Sequence, residues 1–202
     1  MTSTGLGGRK LVEALIFGAG TTLRALIAAL ILLGLTGCEN SLPRGGRIGL
    51  KLPPSTLGAS VNLQQHLTVD RNGRMDELDA VLEIDPERID MVGLLLGQRV
   101  LALHYDGKKL ETWRHPMMTE GLRGEDVLED LQLTLWPVEE IRAALPAGWR
   151  IEENDGRRTI LEKDAPVTVI QYSAQPRWSG TVELDNLRFH YRLTIRTAPA
   201  GF

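Results

Sequence analysis

The sequence is poor in cysteine and has no excess of positive charge. Cys38 is the only cysteine among 202 residues, and 23 Lys and Arg residues stand against 26 Asp and Glu residues, which gives a net charge of −3. Nucleic-acid binding needs clustered Lys and Arg to neutralise phosphates, so this balance argues against it. A composition of 43% hydrophobic and 24% charged residues is ordinary for one globular domain with its own core.

Motifs of catalysis and metal binding are also lacking. The sequence has no paired-histidine zinc motif, no nucleophile elbow, no phosphate-binding glycine loop and no dinucleotide fingerprint. We interpret the scattered histidines as surface or satisfied side chains; they are His66, His104, His115 and His190. We therefore expect a protein that is not an enzyme and needs no metal or cofactor. A hydrolase whose active site is assembled from distant strands remains an alternative.

The first 37 residues have the pattern of an export signal. Basic residues at positions 9, 10 and 24 precede an uncharged apolar run over 25–35, which is too short for a membrane span of about 20 residues. The run leads into Leu35-Thr36-Gly37-Cys38, which resembles the lipobox of bacterial lipoproteins. That resemblance implies cleavage before Cys38, which would carry covalent diacylglycerol and an N-acyl chain. The alternatives are a plain secretory signal with an incidental cysteine and an uncleaved N-terminal helix.

These features predict three parts of the chain: a signal peptide over 1–37, a lipidated tether over 38–47 and a folded domain over 48–202. The tether is rich in turn-forming residues and shows no periodicity. Each buried CH₂ of an acyl anchor contributes about 0.8 kcal/mol, so the domain is expected to work on a membrane, with membrane lipid as a partner. Glu39 follows the cysteine where Asp would favour inner-membrane retention, which favours the outer membrane, facing the periplasm.

Most of the folded part alternates with the period of a β-strand. Val61, Leu63, Leu67 and Val69 alternate with polar residues, and an Asn-Gly turn at 72–73 leads into a second alternating run over 78–84. Further strands are predicted at 89–95, 99–105, 109–113, 149–153, 159–163, 167–172, 181–185 and 188–196.

A helical pattern interrupts the strands after Gly124. Apolar residues recur at helical spacing up to Leu135, acidic residues cluster near the start, and Pro137 begins a second short helix over 138–145. Up to ten strands with one helical interruption predict a mainly β fold with a helical lid (α+β). We expect a curved antiparallel sheet or half-barrel of about ten strands that encloses the helices.

The order of elements resembles the LolA/LolB-like lipoprotein carriers, and more closely a family of outer-membrane lipoproteins often encoded beside aryl polyene biosynthesis genes. The resemblance spans most of Ser60 to Arg196. The matching segments are Leu78–Ile84, Val92–Leu94, Gly97–Leu101, Asp130–Pro137 and Tyr191–Ile195, of which the helical Leu-Trp-Pro block is the most distinctive.

What the resemblance implies is a helical lid over an apolar cavity for an acyl chain, a lipid or an aryl polyene lipid. Candidate cavity-lining residues are Leu128, Leu131, Leu135 and Trp136, which could equally pack the helix onto the sheet. Leu94, Leu95 and Leu96 match a membrane-contact loop, although a buried strand ending in a glycine turn is the preferred interpretation. An upstream periplasmic carrier is a candidate partner, and a monomer is expected. A structural or assembly lipoprotein without cargo is the alternative function.

Overall fold

The alternating segments form ten strands of one antiparallel sheet. The strands are β1 (Val61–Arg71), β2 (Arg74–Ile84), β3 (Ile89–Leu95), β4 (Gln98–Tyr105), β5 (Leu110–Arg114), β6 (Trp149–Asn154), β7 (Arg157–Glu162), β8 (Ala165–Tyr172), β9 (Thr181–Asn186) and β10 (Tyr191–Thr197). Their order is β5-β4-β3-β2-β1-β10-β9-β8-β7-β6, so the first and last strands of the chain pair at the centre. This open sheet with two helices confirms the predicted fold class.

The computed structural model describes residues 46–118 and 122–198, which fall in one compact unit from Gly45 to Phe202. This unit contains every strand, both helices and the hydrophobic core described below. The predicted signal peptide and Cys38 lie outside the described residues. No helix among the described residues is both long enough and apolar enough to cross a bilayer.

Two hairpin turns have the geometry that their sequences predict. Asn72 and Gly73 both have positive φ, as do Asp155 and Gly156, which matches the turn type whose twist suits a two-residue hairpin. The last strand differs from the prediction, because it begins at Tyr191 and not at residue 188. The reason is a turn over 187–190, in which the Asn186 side chain accepts a hydrogen bond from the Phe189 amide at 3.0 Å.

Two helices lie between the strand runs, α1 (Gly124–Leu135) and α2 (Val138–Ala144). Glu125 and Asp126 lie in the first turn of α1, where carboxylates stabilise the positive end of the helix dipole. A Cβ atom on Gly124 would lie 2.0 Å from Thr112 of β5, so only glycine lets the helix start this close to the sheet edge. Trp136 and Pro137 separate the two helices, as the sequence predicts.

An N-terminal segment (residues 46–57) packs against α1 and fills part of the sheet's apolar face. The backbone of Leu52 exchanges two hydrogen bonds with the Gln132 side chain, at 2.9 and 2.7 Å. Trp136 donates its indole N–H to Thr56 at 2.9 Å. Leu50, Leu52 and Leu57 are buried in the same core cluster as Leu82, Ile84 and Tyr105. The segment therefore belongs to the folded core, and its polar contacts are made by buried helix side chains.

Each of the three tyrosines forms a hydrogen bond that links a strand to the N-terminal segment or to α1. Tyr105 donates to the Lys51 carbonyl at 3.2 Å, and Tyr172 donates to the Thr134 carbonyl near the end of α1 at 2.7 Å. Tyr191 donates to the Asp130 carboxylate at 2.5 Å. All three side chains are buried, so their hydroxyl groups reach the helix and the N-terminal segment from three different strands.

Alkaline pH is expected to unfold the protein through these tyrosines. Burial raises the pKa of Tyr172 to about 12, and burial also raises the pKa values of Tyr105 and Tyr191 above the ordinary 10. A pKa that is higher in the folded state stabilises the fold fully below the unfolded pKa, and this contribution is lost as pH rises through the folded pKa. Between pH 10 and about 12, Tyr172 alone is therefore expected to cost about 2 to 3 kcal/mol of unfolding free energy.

A pH titration that follows tyrosinate absorbance and far-UV circular dichroism together checks this prediction. We expect both signals to change in the same transition between pH 10 and about 12, because in this range the buried hydroxyls ionise more readily in the unfolded chain than in the folded one. Tyrosinate that forms while the circular dichroism is unchanged would contradict it.

Candidate functional site

A cavity of about 770 Å³ lies between α1 and the strands β1 to β4 and β10. Successive side chains of a strand point to opposite faces, so Leu67, Val69 and Arg71 of β1 all face this space. Val127 and Leu131, one helical turn apart, face it from α1. The cavity therefore occupies a stretch of the concave face that neither the helix nor the N-terminal segment fills.

A β-bulge on β4 adds apolar surface to the cavity. Gly93 of β3 pairs with Leu101, whereas the next residue, Leu94, pairs with Arg99, so Val100 has no partner of its own. An extra residue of this kind bends a strand and re-aims its side chains. Val100 and Leu101 are consecutive, yet both are buried and both line the cavity.

Methionine is concentrated in this one place. The chain has five methionines, and Met75, Met91, Met117 and Met118 all line the cavity. Met91 is buried at the sheet, whereas Met75 and Met117 are more than half exposed and so mark where the cavity opens to solvent. Methionine is unbranched and flexible, and it fills spaces of irregular shape. A wall built this way adapts to the shape of what it contains.

A polar cluster of Arg47, Asp126, Asp130 and Tyr191 forms another part of the cavity wall. Arg47 donates to Asp130 at 2.6 Å and to the Tyr191 hydroxyl at 2.9 Å, and its Nε lies 3.4 Å from an Asp126 oxygen. Although burial opposes ionisation, Asp130, Tyr191 and Asp126 together raise the pKa of Arg47 above its ordinary value. The guanidinium is therefore charged at every accessible pH.

Arg47 lies within the predicted tether of residues 38–47, yet it is part of the folded unit. Beside it, Glu129 accepts the backbone N–H of Gly49 at 2.6 Å, which fastens the same segment to α1. Burial raises the pKa of Glu129, and this backbone hydrogen bond opposes the shift. The described residues thus begin at Gly46, directly beside Arg47 of the cavity wall.

The four lining residues predicted from the helix have two different environments. Leu131 lines the cavity, as expected. Leu128, Leu135 and Trp136 do not line it and are almost completely buried in the core, so the cavity differs from the prediction at these three positions. The reason is that α1 has one wide apolar stripe, of which the edge with Val127 and Leu131 faces the cavity while Leu128 and Leu135 face the core.

The three leucines of the predicted membrane-contact loop also have different environments. Leu94 and Leu95 end β3 and are partly buried, and Leu95 lines the cavity, which agrees with a strand ending in a glycine turn. Leu96 is in the turn itself with positive φ and is 96% exposed. Its contact with a membrane stays a prediction.

Sequence reasoning missed the methionines, the bulge and Arg47. The signal for the methionines is that four of the five lie in just two regions, at 75–91 and 117–118. Within residues 46–118 and 122–198, no group of three or more His, Cys, Asp or Glu side chains is placed to hold a metal ion.

An open curved sheet with an apolar cavity beneath a helix is compatible with a binding or carrier protein, and it is consistent with the LolA/LolB-like carrier fold. The chain belongs to the family described as "Protein of unknown function (DUF3261)", whose model matches residues 62–199. This match covers all of both helices and, except for the first residue of β1, all ten strands. No curated protein matches the chain.

Proposed function

We propose that this protein is a membrane-anchored lipoprotein that binds or transfers a hydrophobic cargo at the periplasmic face of the outer membrane. The cargo would be an acyl chain, a lipid or an aryl polyene lipid, received from an upstream periplasmic carrier. The observation that carries this proposal is the apolar cavity of about 770 Å³ beneath α1. Pockets for small ligands commonly span about 300 to 1,000 Å³ and have mostly apolar walls with a few polar groups.

The length of the cavity also suits a chain-like cargo. Along β1 the lining extends from Gln65 to Arg71, which spans about 20 Å at the usual rise of a strand. One leaflet of a bilayer core is about 15 Å thick, so an extended acyl chain fits along this wall. A structural lipoprotein would gain nothing from such a space, since empty apolar volume costs stability.

Mass spectrometry of the chain extracted from cell membranes tests the proposal. We expect acyl groups on Cys38 and, under native conditions, a retained hydrophobic molecule. The chain from residue 39 onward keeps the whole compact unit and is expected to take up a fluorescent fatty acid. A chain that is always empty and takes up no fatty acid would favour the structural alternative instead, and an unmodified Cys38 would contradict the anchor.

Leu96 is proposed to contact the bilayer while cargo moves. It is the most exposed large apolar side chain of the described residues, and Leu95 beside it lines the cavity. We expect Leu96→Asp to weaken binding of the chain from residue 39 to phospholipid vesicles by about fivefold, because a leucine contributes about 1 kcal/mol or more when it leaves water. Vesicle flotation measures the effect, with Leu187→Asp, at another exposed hairpin leucine, as the matched control. Equal losses in both variants would contradict a specific role for Leu96.

A further inference from the structure

One polar residue interrupts the inward face of the central strand. Along β1 the inward residues Val61, Leu63, Leu67 and Val69 are apolar, and Gln65 stands in the middle of this row. Gln65 is only 7% exposed and lines the cavity, whereas its neighbour Gln64 is exposed on the opposite face. A glutamine at this position is exceptional, because buried strand faces favour apolar side chains.

The amide of Gln65 is only half satisfied. Its Nε2 donates to the Thr197 hydroxyl at 3.2 Å on the neighbouring strand, and among the described residues this is its only hydrogen bond. Its partner on the other side, Ala80 of β2, is small, apolar and 1% exposed. The amide oxygen thus has no donor within the described residues. The oxygen keeps some accessible surface beside the cavity, so water can pair with it while the cavity is empty, and a cargo that displaces this water must supply a donor in its place.

The fully buried side-chain atoms without hydrogen bonds among the described residues lie elsewhere. They are Thr68 Oγ1, Arg177 Nε and Arg158 Nη2, the last of which forms an ion pair with Glu153, and none of these residues lines the cavity. The charged residues that line the cavity from the same two strands, Arg71, Arg74, Asp76 and Glu77, lie toward the hairpin end, about 10 to 20 Å from Gln65 along the strands. Gln65 is therefore a polar point of the inner cavity wall, separate from the charged rim.

We infer that Gln65 is a specificity-determining residue that selects a cargo with an uncharged hydrogen-bonding group on its apolar chain, such as a hydroxyl. The inference rests on the proposed function, since it names the class of molecule that the cavity takes. A hydrogen-bond donor on the cargo would pair with the side-chain oxygen of Gln65. A plain hydrocarbon would leave that amide unpaired, and an ionised group would lack a counter-charge at Gln65, Thr197 and Ala80. Cargo with its polar group only at the rim would gain nothing from Gln65.

A pair of matched ligands tests the inference on the chain from residue 39. 1-Dodecanol and tridecane have equal numbers of non-hydrogen atoms, and their dissociation constants are obtained by displacement of a fluorescent fatty acid. We expect Gln65→Leu to reduce the preference for 1-dodecanol over tridecane by about tenfold relative to wild type. Gln64→Leu makes the same chemical change on the exposed face and is expected to leave the preference unchanged. A ratio taken between variants removes the different hydration of the two ligands.

Thermal unfolding provides the second measurement. Gln65→Leu and the unbranched Gln65→Met remove a half-paired amide from an apolar wall, so we expect melting temperatures equal to wild type or about 2–4 °C higher. Lower melting temperatures in both variants would assign Gln65 to the stability of the fold and overturn the inference. An unchanged ligand preference in both variants would also overturn it, while cavity binding itself would stand. Failure of the wild-type chain to bind either ligand or the fluorescent fatty acid would instead overturn the proposed function.

Discussion

Leu131→Asp is expected to abolish uptake of a fluorescent fatty acid while the protein stays folded. Leu131 lines the cavity from α1 and is only partly buried, so its replacement does not open a hole in the packed core. A carboxylate at this position faces apolar side chains from several strands, and filling the cavity would strip its water without supplying a partner. Loss of about 3 kcal/mol or more of binding free energy corresponds to an affinity at least about a hundredfold weaker.

Val81→Asp is the matched control for this prediction. Val81 lies on β2 and is 40% exposed on the face opposite the cavity, so the same charge there remains in water. Fluorescence titration of both variants gives the affinities, and far-UV circular dichroism verifies the fold. If Leu131→Asp bound the fatty acid as tightly as Val81→Asp, the cargo would not occupy the space beneath α1.

The sheet is predictable from the sequence because its signals are local. Alternating apolar residues and the Asn-Gly and Asp-Gly dipeptides each act within a few residues, and they predict the number of strands and most hairpins. The error at 187–190 has the same local origin. Phe189 continues the alternation with Tyr191, Leu193 and Ile195, but a side-chain hydrogen bond from Asn186 closes a turn there instead.

The cavity is less predictable, because its wall combines residues from seven separated parts of the chain. Leu128 and Leu131 are both apolar residues at helical spacing, and periodicity alone cannot tell which one faces packed core and which faces open space. Arg47 illustrates a second difficulty, since its partners Asp130 and Tyr191 lie 83 and 144 residues away. Only the topology brings these three residues together.

Gln65 was within reach of sequence reasoning. The inward-facing residues of β1 are apolar except for Gln65, and the strand can be predicted from the apolar residues on either side of it. A polar residue at an inward strand position carries a cost unless it is paired, so such exceptions point to functional positions more often than the regular residues do. The sequence alone, however, does not show that Thr197 satisfies only one end of the amide.

Trp136→Ala is expected to lower the free energy of unfolding by about 3–5 kcal/mol, the usual cost of truncating a buried tryptophan. Trp136 is 0% exposed within the core, and its indole N–H is bonded to Thr56 of the N-terminal segment. The variant therefore loses packing and also leaves the segment without one of its attachments to the helices. Chemical denaturation of wild type and variant measures the difference.

Trp113→Ala is the control, because Trp113 is 42% exposed on the edge strand β5 and its removal leaves no internal hole. We expect that change to cost less than about 1 kcal/mol. Since Trp136 does not line the cavity, the folded Trp136→Ala protein should still bind the fluorescent fatty acid within about threefold of wild type, measured well below its melting temperature. A variant that kept its stability but lost fatty-acid binding would place Trp136 on the cavity wall, as the resemblance to the lipoprotein carriers implies. Opposite effects of Leu131→Asp and Trp136→Ala on binding and stability would distinguish the cavity wall from the packed core by experiment.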